Sequence, residues 1–144
     1  MPTESAYIDT SVLGAYYCPE ALSALAEETL RQIGAPVIST LSEVEFCSLI
    51  ARKQRLRELN QRQSRGILDL FGTHVAEGFY RRISLTADHF LAARELIGRS
   101  GGLLRTLDGL HLAVAITESL PLMTADRDLA KAAKRHKSRV MLIK

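Results

Sequence analysis

The chain has 144 residues, 47% apolar and 24% charged, the proportions of a globular protein with a core and not of a disordered one. Its longest uncharged apolar run with no more than a His in it, Leu110–Ile116, is far below the ~18 residues that cross a bilayer; the amino terminus shows no secretory signal pattern, and Cys18 and Cys47 fit neither a disulfide framework nor a Cys-x-x-Cys metal site, so a reducing cytoplasm is the expected setting. The net charge of +3 conceals an asymmetry: residues 1–51 hold seven acids and one base, a net of −6, and residues 52–144 hold 18 bases and nine acids, a net of +9, which hints at contact with nucleic acid or an acidic partner.

No Pro/Gly-rich linker or low-complexity tract divides the sequence, and a single domain over residues 1–144 is expected. Ala6–Asp9 is a short apolar run that predicts a buried strand. Pro19–Ile33 carries helical spacing (Leu22, Leu25, Ala26, Leu30, Ile33) and stops before Gly34, a C-capping residue type. Val37–Ser39, opened by Pro36, predicts a second strand. From Thr40 the pattern turns helical, with Leu41, Val44, Cys47/Ser48 and Ile50 near a period of 3.6, which places Cys47 toward the core. Asn60–Glu77 predicts another helix, interrupted by Gly66 and Gly72. There follow a strand at Phe79–Leu85, a helix from Thr86 to Gly98, a loop at Arg99–Gly102 and a helix at Thr106–Leu120. Pro121–Thr124 is a strand, Asp126–His136 a helix and Arg139–Ile143 a last strand.

Strand and helix alternate, which predicts an α/β fold: a mostly parallel sheet of four to five strands with helices on both faces, three layers in all. Sites in such sheets lie at the carboxyl ends of the strands. Asp9 ends the first strand and is followed by Thr10 and Ser11. Glu43 and Glu45 follow the second, Asp126 and Asp128 follow Leu122-Met-Thr124, and Asp108 opens the helix from Thr106. Crowded carboxylates resist ionisation unless a cation neutralises them. Oxygen donors without Cys or His suit Mg²⁺ or Mn²⁺, which can activate water against a phosphodiester.

Taken singly, each acid has a plainer explanation. Glu43 follows Thr40 by three and Glu45 follows Ser42 by three, so either pair could form a capping box. Asp108 and Asp126 suit the first turn of any helix. Thr-Ala-Asp occurs at 86–88 and at 124–126, and local sequence does not separate a ligand from a helix start. His111, three residues after Asp108, shares its helix face. It could support the acids, but a packed core histidine is the commoner outcome.

The segments Tyr7-Ile-Asp-Thr-Ser-Val-Leu13, Ile38-Ser-Thr-Leu-Ser-Glu-Val-Glu45 with Ala51-Arg-Lys53, Leu107-Asp-Gly-Leu-His-Leu-Ala113 and Leu122-Met-Thr-Ala-Asp-Arg-Asp-Leu-Ala130 resemble the PIN-domain ribonucleases, in particular the VapC-like toxins of toxin–antitoxin pairs. The resemblance spans nearly the whole chain. It implies a PIN-like fold and a catalytic, metal-binding set of Asp9, Glu45, Asp108 and Asp126. Thr10, Ser11 and Thr124 would orient ligands or water. The register favours Glu45 over Glu43; Glu43 and Asp128 stand as alternative ligands, and Asp88 becomes an ordinary helix start. The implied cofactor is Mg²⁺ or Mn²⁺. The implied partners are an RNA substrate, a cognate VapB-like antitoxin and a second copy of the chain, with no membrane. Gly109 departs from the family's usual Ala, and Ser138 stands where a Gly commonly ends the last helix.

Arg52, Lys53, Arg55, Arg57, Arg62 and Arg65 fall within 14 residues, and a second basic cluster runs from Arg127 to Lys144. Bases beside an acidic metal site could hold the phosphates that flank a scissile bond. Arg52, Lys53 and Arg55 are the expected RNA contacts, although a solvated helix face would look the same. Aromatics make up only 6%, with no Trp, so no stacking platform for bases is evident. Other readings stay open. One is a PIN nuclease of RNA processing or DNA repair without an antitoxin. Another is a non-catalytic nucleic-acid-binding module. A phosphatase of the haloacid-dehalogenase type fits poorly, because Ser11 stands where its second Asp is needed.

Overall fold

Side chains that point alternately to either side of the strands build two cores on opposite faces of one sheet. A computed structural model describes residues 5–144. Its strands are β1 (Ala6–Ile8), β2 (Pro36–Ser39), β3 (Arg81–Ile83), β4 (Leu122–Thr124) and β5 (Val140–Leu142). All neighbours pair in parallel, in the order β3-β2-β1-β4-β5. Ala6, Ile8, Ile38 and Met123 point to one face; Tyr7, Val37 and Leu122 point to the other, as a period of two requires. Both faces are therefore covered, which is the three-layer arrangement expected of an all-parallel sheet.

The first face is covered by α1 (Thr10–Tyr17), α2 (Ser23–Arg31), α3 (Thr40–Arg55) and α4 (Gln61–Ala76). Its centre is aromatic: Tyr17, Phe46, Phe71 and Tyr80 pack edge-on or tilted around one another. The second face is covered by α5 (Ala87–Arg99), α6 (Thr106–Thr117) and α7 (Arg127–Arg135). Among the described residues no helix is long and apolar enough to cross a membrane.

The structure departs from the sequence expectations in several places. Helix α1 carries no amphipathic stripe to read, because four consecutive residues, Val12–Ala15, are buried. Helix α2 begins at Ser23 rather than Pro19 and is capped by Gln32, two residues before Gly34. Helix α3 is capped by neither proposed box. Ser39 is its N-cap, and the Ser39 and Ser42 side chains bond each other's backbone N–H. Cys47 is exposed. The buried stripe of α3 is Ser42, Phe46 and Ile50, at i, i+4 and i+8, and this turns Val44, Cys47 and Ser48 outward. Strand β3 occupies only the centre of Phe79–Leu85.

Gly109 has a physical reason. A Cβ there would lie 2.5 and 2.6 Å from Ile97 Cγ1 and Cδ1, so its absence lets α6 pack closely on α5. At the last helix the left-handed residue is Lys137, with φ of 62°, and Ser138 needs no glycine.

Candidate active site

The strand order reverses beside β1: the chain steps outward to β2 and β3, then returns across β1 to β4 and β5. The connections that leave β1 and β4 run to opposite faces, into α1 and α7, and such a switch point leaves a crevice at the carboxyl edge. A cleft of about 680 Å³ opens at this edge. Asp9, Glu45, Asp108 and Asp126 all line it, with Thr10, Ser11, His111, Arg52 and Lys53. Four different helix starts thus deliver one carboxylate each. Asp9 is the N-cap of α1, Glu45 lies in the second turn of α3, Asp108 in the first turn of α6, and Asp126 is the N-cap of α7.

Asp9 is held on both oxygens. The Ser11 hydroxyl donates to Oδ1 at 2.6 Å and the Thr124 hydroxyl to Oδ2 at 2.9 Å. Each of these hydroxyls also accepts a backbone N–H from the β4–α7 turn, Ala125 to Ser11 and Asp126 to Thr124, both at 2.9 Å. Ser11 and Thr124 therefore lock the end of β1 to the end of β4. Burial pushes the Asp9 carboxyl up to about 6, against the opposing pull of these hydrogen bonds and of His111. Asp108 is also raised, first by burial and then by the Asp126 charge, with Glu45 adding to it. Glu45 goes the other way. Burial would raise it, but the His111 hydrogen bond and charge, together with the Thr10 hydroxyl at 2.7 Å, hold it below the usual carboxylate range.

Glu43 and Asp128 stand apart. Both Glu43 oxygens are taken by Arg82 of β3, at 2.9 Å from Nη2, and Asp128 is exposed; neither lines the cleft. On a helix, Glu43 and Glu45 are about 200° apart, so α3 can present only one of them to the cleft. Asp88 likewise stays at the start of α5, which Thr86 and His89 cap. Among the expected RNA contacts, Arg52 and Lys53 line the cleft and Arg55 does not. Lys53 is shared between Glu20 at 3.8 Å and Glu58 at 3.3 Å. Arg62 and Arg65 line a separate hollow at the start of α4.

His111 is 2% exposed and is both packed and engaged: Nδ1 meets the Tyr7 hydroxyl at 2.6 Å, and Nε2 bonds Glu45 Oε1. In the sequence Tyr7 is only part of the first strand and of the family-like segment, with no role at the site. A tyrosine within a three-residue buried strand signals that a partner for its hydroxyl must exist, but nothing local says which.

Among the described residues, no three His, Cys, Asp or Glu side chains converge as a ready-made cage for an ion. The donor chemistry nevertheless fits a hard divalent cation. Among the described residues, both oxygens of Asp108, Oε2 of Glu45 and Oδ2 of Asp126 have no hydrogen-bond partner. These acids face one cleft, and Asp9 and Asp108 are both pushed toward the neutral form, a cost that a cation relieves. Oxygen-only donors favour Mg²⁺ or Mn²⁺.

A family model for the PIN domain matches residues 6–135. A search of curated proteins gave no match. Solved structures share the fold. VapBC2 from Rickettsia felis, bound to a DNA fragment from its promoter, is 17% identical with a TM-score of 0.68, over 97% of this chain and 98% of that one. VapC20 from Mycobacterium tuberculosis, a sarcin–ricin loop cleaving toxin, is 18% identical with a TM-score of 0.69, over 90% and 95%. FitAcB from Neisseria gonorrhoeae is 15% identical with a TM-score of 0.67, over 94% and 96%.

Proposed function

This chain belongs to the PIN domain family, and on that footing we propose that it is a divalent-metal-dependent endoribonuclease, the cytoplasmic toxin of a VapBC-type toxin–antitoxin pair. The observation that carries the reading is the cleft at the β1–β4 switch point, where four carboxylates from four elements face one space with Arg52 and Lys53 at its rim.

Asp9, Glu45, Asp108 and Asp126 would hold Mg²⁺ or Mn²⁺. When bound, such an ion supplies a nucleophilic water at neutral pH and neutralises charge developing on a phosphoryl oxygen. The chain's own residues do the positioning. Ser11 and Thr124 fix both oxygens of Asp9, and Thr10 and His111 fix one oxygen of Glu45. Arg52 has no carboxylate within ion-pair distance among the described residues, so its guanidinium is available to a phosphate beside the scissile one. Lys53, already shared by Glu20 and Glu58, contributes less, and Arg55 lies farther along the same helix. The fold neighbours include a toxin–antitoxin complex from Klebsiella pneumoniae, which supports a VapB-like antitoxin as partner, and we extend the reading to a homodimer.

The test is cleavage of total RNA with Mn²⁺ or Mg²⁺, with and without EDTA, by the wild type and by Asp9→Asn, with product ends mapped. Cleavage at defined positions that EDTA and Asp9→Asn both abolish is the expected result. Cleavage that persists in either case would overturn the proposal.

A further inference from the structure

Behind Glu45 runs a chain of buried hydrogen bonds. His111 Nε2 bonds Glu45 Oε1, and His111 Nδ1 lies 2.6 Å from the Tyr7 hydroxyl. That hydroxyl lies 2.8 Å from Ser39 Oγ and 3.4 Å from Ser42 Oγ. Ser39 and Ser42 are themselves tied by the capping box of α3, with Ser39 N–H donating to Ser42 Oγ at 3.0 Å and Ser42 N–H to Ser39 Oγ at 3.3 Å. Tyr7, Ser39, Ser42 and His111 are all buried, none more than 2% exposed. The chain therefore joins β1, the start of α3 and α6 to a single carboxylate oxygen.

Its geometry is selective. Nε2 of His111 carries a proton toward Glu45 in both the charged imidazole and the neutral tautomer whose Nδ1 accepts from Tyr7. The Thr10 hydroxyl donates to the same Oε1 at 2.7 Å. Two donors thus converge on Oε1, and Oε2 has no partner among the described residues. A long glutamate loses rotamer freedom when it is fixed; here that ordering is already supplied by the fold.

We propose that His111, oriented by Tyr7 and the Ser39–Ser42 pair, is a positioning residue that presets Glu45 with Oε1 held and Oε2 offered to a cation. The proposal rests on the metal-dependent reading of the cleft. It adds that the ligand geometry of Glu45 is specified from β1 and α6 rather than by α3 alone. Partners behind a ligating carboxylate typically govern 10–100-fold in metal affinity or activity.

The experiment is calorimetric titration of Mn²⁺ into the full chain, with folding of every variant checked by urea unfolding in EDTA. Glu45→Gln measures the ligand itself. His111→Asn keeps an amide near Nδ1, within reach of Tyr7, but cannot reach Glu45; His111→Gln puts an amide N–H where Nε2 stands. The expected results are about a tenfold loss of Mn²⁺ affinity in His111→Asn, near-wild-type affinity in His111→Gln, and a smaller loss in Tyr7→Phe that disappears when His111 is Asn. RNA cleavage by His111→Asn should recover with excess Mn²⁺, without change in KM for RNA. If Glu45→Gln weakens Mn²⁺ binding while His111→Asn does not, positioning by His111 is overturned and the metal site stands. If Glu45→Gln leaves Mn²⁺ binding unchanged, Glu45 is no ligand and both fall. Should His111→Asn fail to fold, Tyr7→Phe carries the same test, and unchanged Mn²⁺ affinity in Tyr7→Phe would then overturn the chain.

Discussion

Replacing Asp9 with Asn should stabilise the metal-free protein at neutral pH even as it removes cleavage. Asp9 is 5% exposed, and burial lifts its carboxyl from 3.8 to about 6. Between these values the folded protein binds a proton that the unfolded chain has released, so stability falls as pH rises through that window. Above it both states are ionised and the full cost of burying the charge remains, about 3 kcal/mol at ~1.4 kcal/mol per pKa unit. Below pH ~4 both states are neutral and the cost vanishes. Asn removes the charge, but its amide must donate toward Ser11 or Thr124, whose hydroxyls already accept from Ala125 and Asp126. That mismatch costs about 1–1.5 kcal/mol, which leaves a net gain of roughly 1.5–2 kcal/mol at pH 7.5. The assay is urea unfolding of wild type and Asp9→Asn in EDTA at pH 4 and pH 7.5, then at pH 7.5 with Mn²⁺. With Mn²⁺ the order should invert, because the ion stabilises only the native state that binds it. An Asn variant less stable than wild type at pH 7.5 in EDTA, or an equal difference at both pH values, would refute the reasoning.

Asp126 separates its two roles by substitution. Oδ1 caps α7 through the Asp128 and Leu129 N–H groups, so Asp126→Asn should keep stability and lose cleavage, while Asp126→Ala should lose cleavage and about 1 kcal/mol in urea unfolding. Glu43→Gln should leave Mn²⁺ affinity and cleavage unchanged and cost under ~1 kcal/mol, since its pair with Arg82 is partly exposed to water. Gly109→Ala should destabilise by about 1 kcal/mol, the overpacking against Ile97 exceeding the helical advantage of Ala; in an Ile97→Ala background the same change should become neutral or stabilising. Arg52→Ala should weaken RNA binding and lower the salt dependence by roughly one phosphate contact, a slope change of about 0.7 for single strands, with Lys53→Ala having the smaller effect in the same filter-binding titration.

Much of the architecture was legible because its signals are local. Short apolar runs bounded by turns mark strands, and the spacing of Leu and Ile marks helices. Alternation of the two demands a parallel sheet with both faces covered. What failed locally was whatever burial erased or tertiary contact redirected. Helix α1 is buried along Val12–Ala15 and so lacks a polar stripe. Spacing alone gives α3 the wrong face because Val44 and Cys47 are apolar, whereas Ser42, a polar residue, takes the buried position as part of a cap. Ser39 takes the N-cap role instead of Thr40, whose hydroxyl accepts from Leu85 N–H just beyond the neighbouring strand β3.

The acids divide in the same way. Their residue type, and their places after β1, after β2, at the start of α6 and after β4, are written in the sequence, because strand ends and first helical turns are local features. That Asp9, Glu45, Asp108 and Asp126 face one cleft while Glu43 turns to Arg82 was decided only by tertiary structure, since it depends on which way α3 rotates against the sheet. The same holds for the bonds from Tyr7 through His111 to Glu45, which span 104 and 66 residues. No periodicity encodes them. They arise because packing brings a buried tyrosine of β1 against α6, and each buried polar group in turn requires the next.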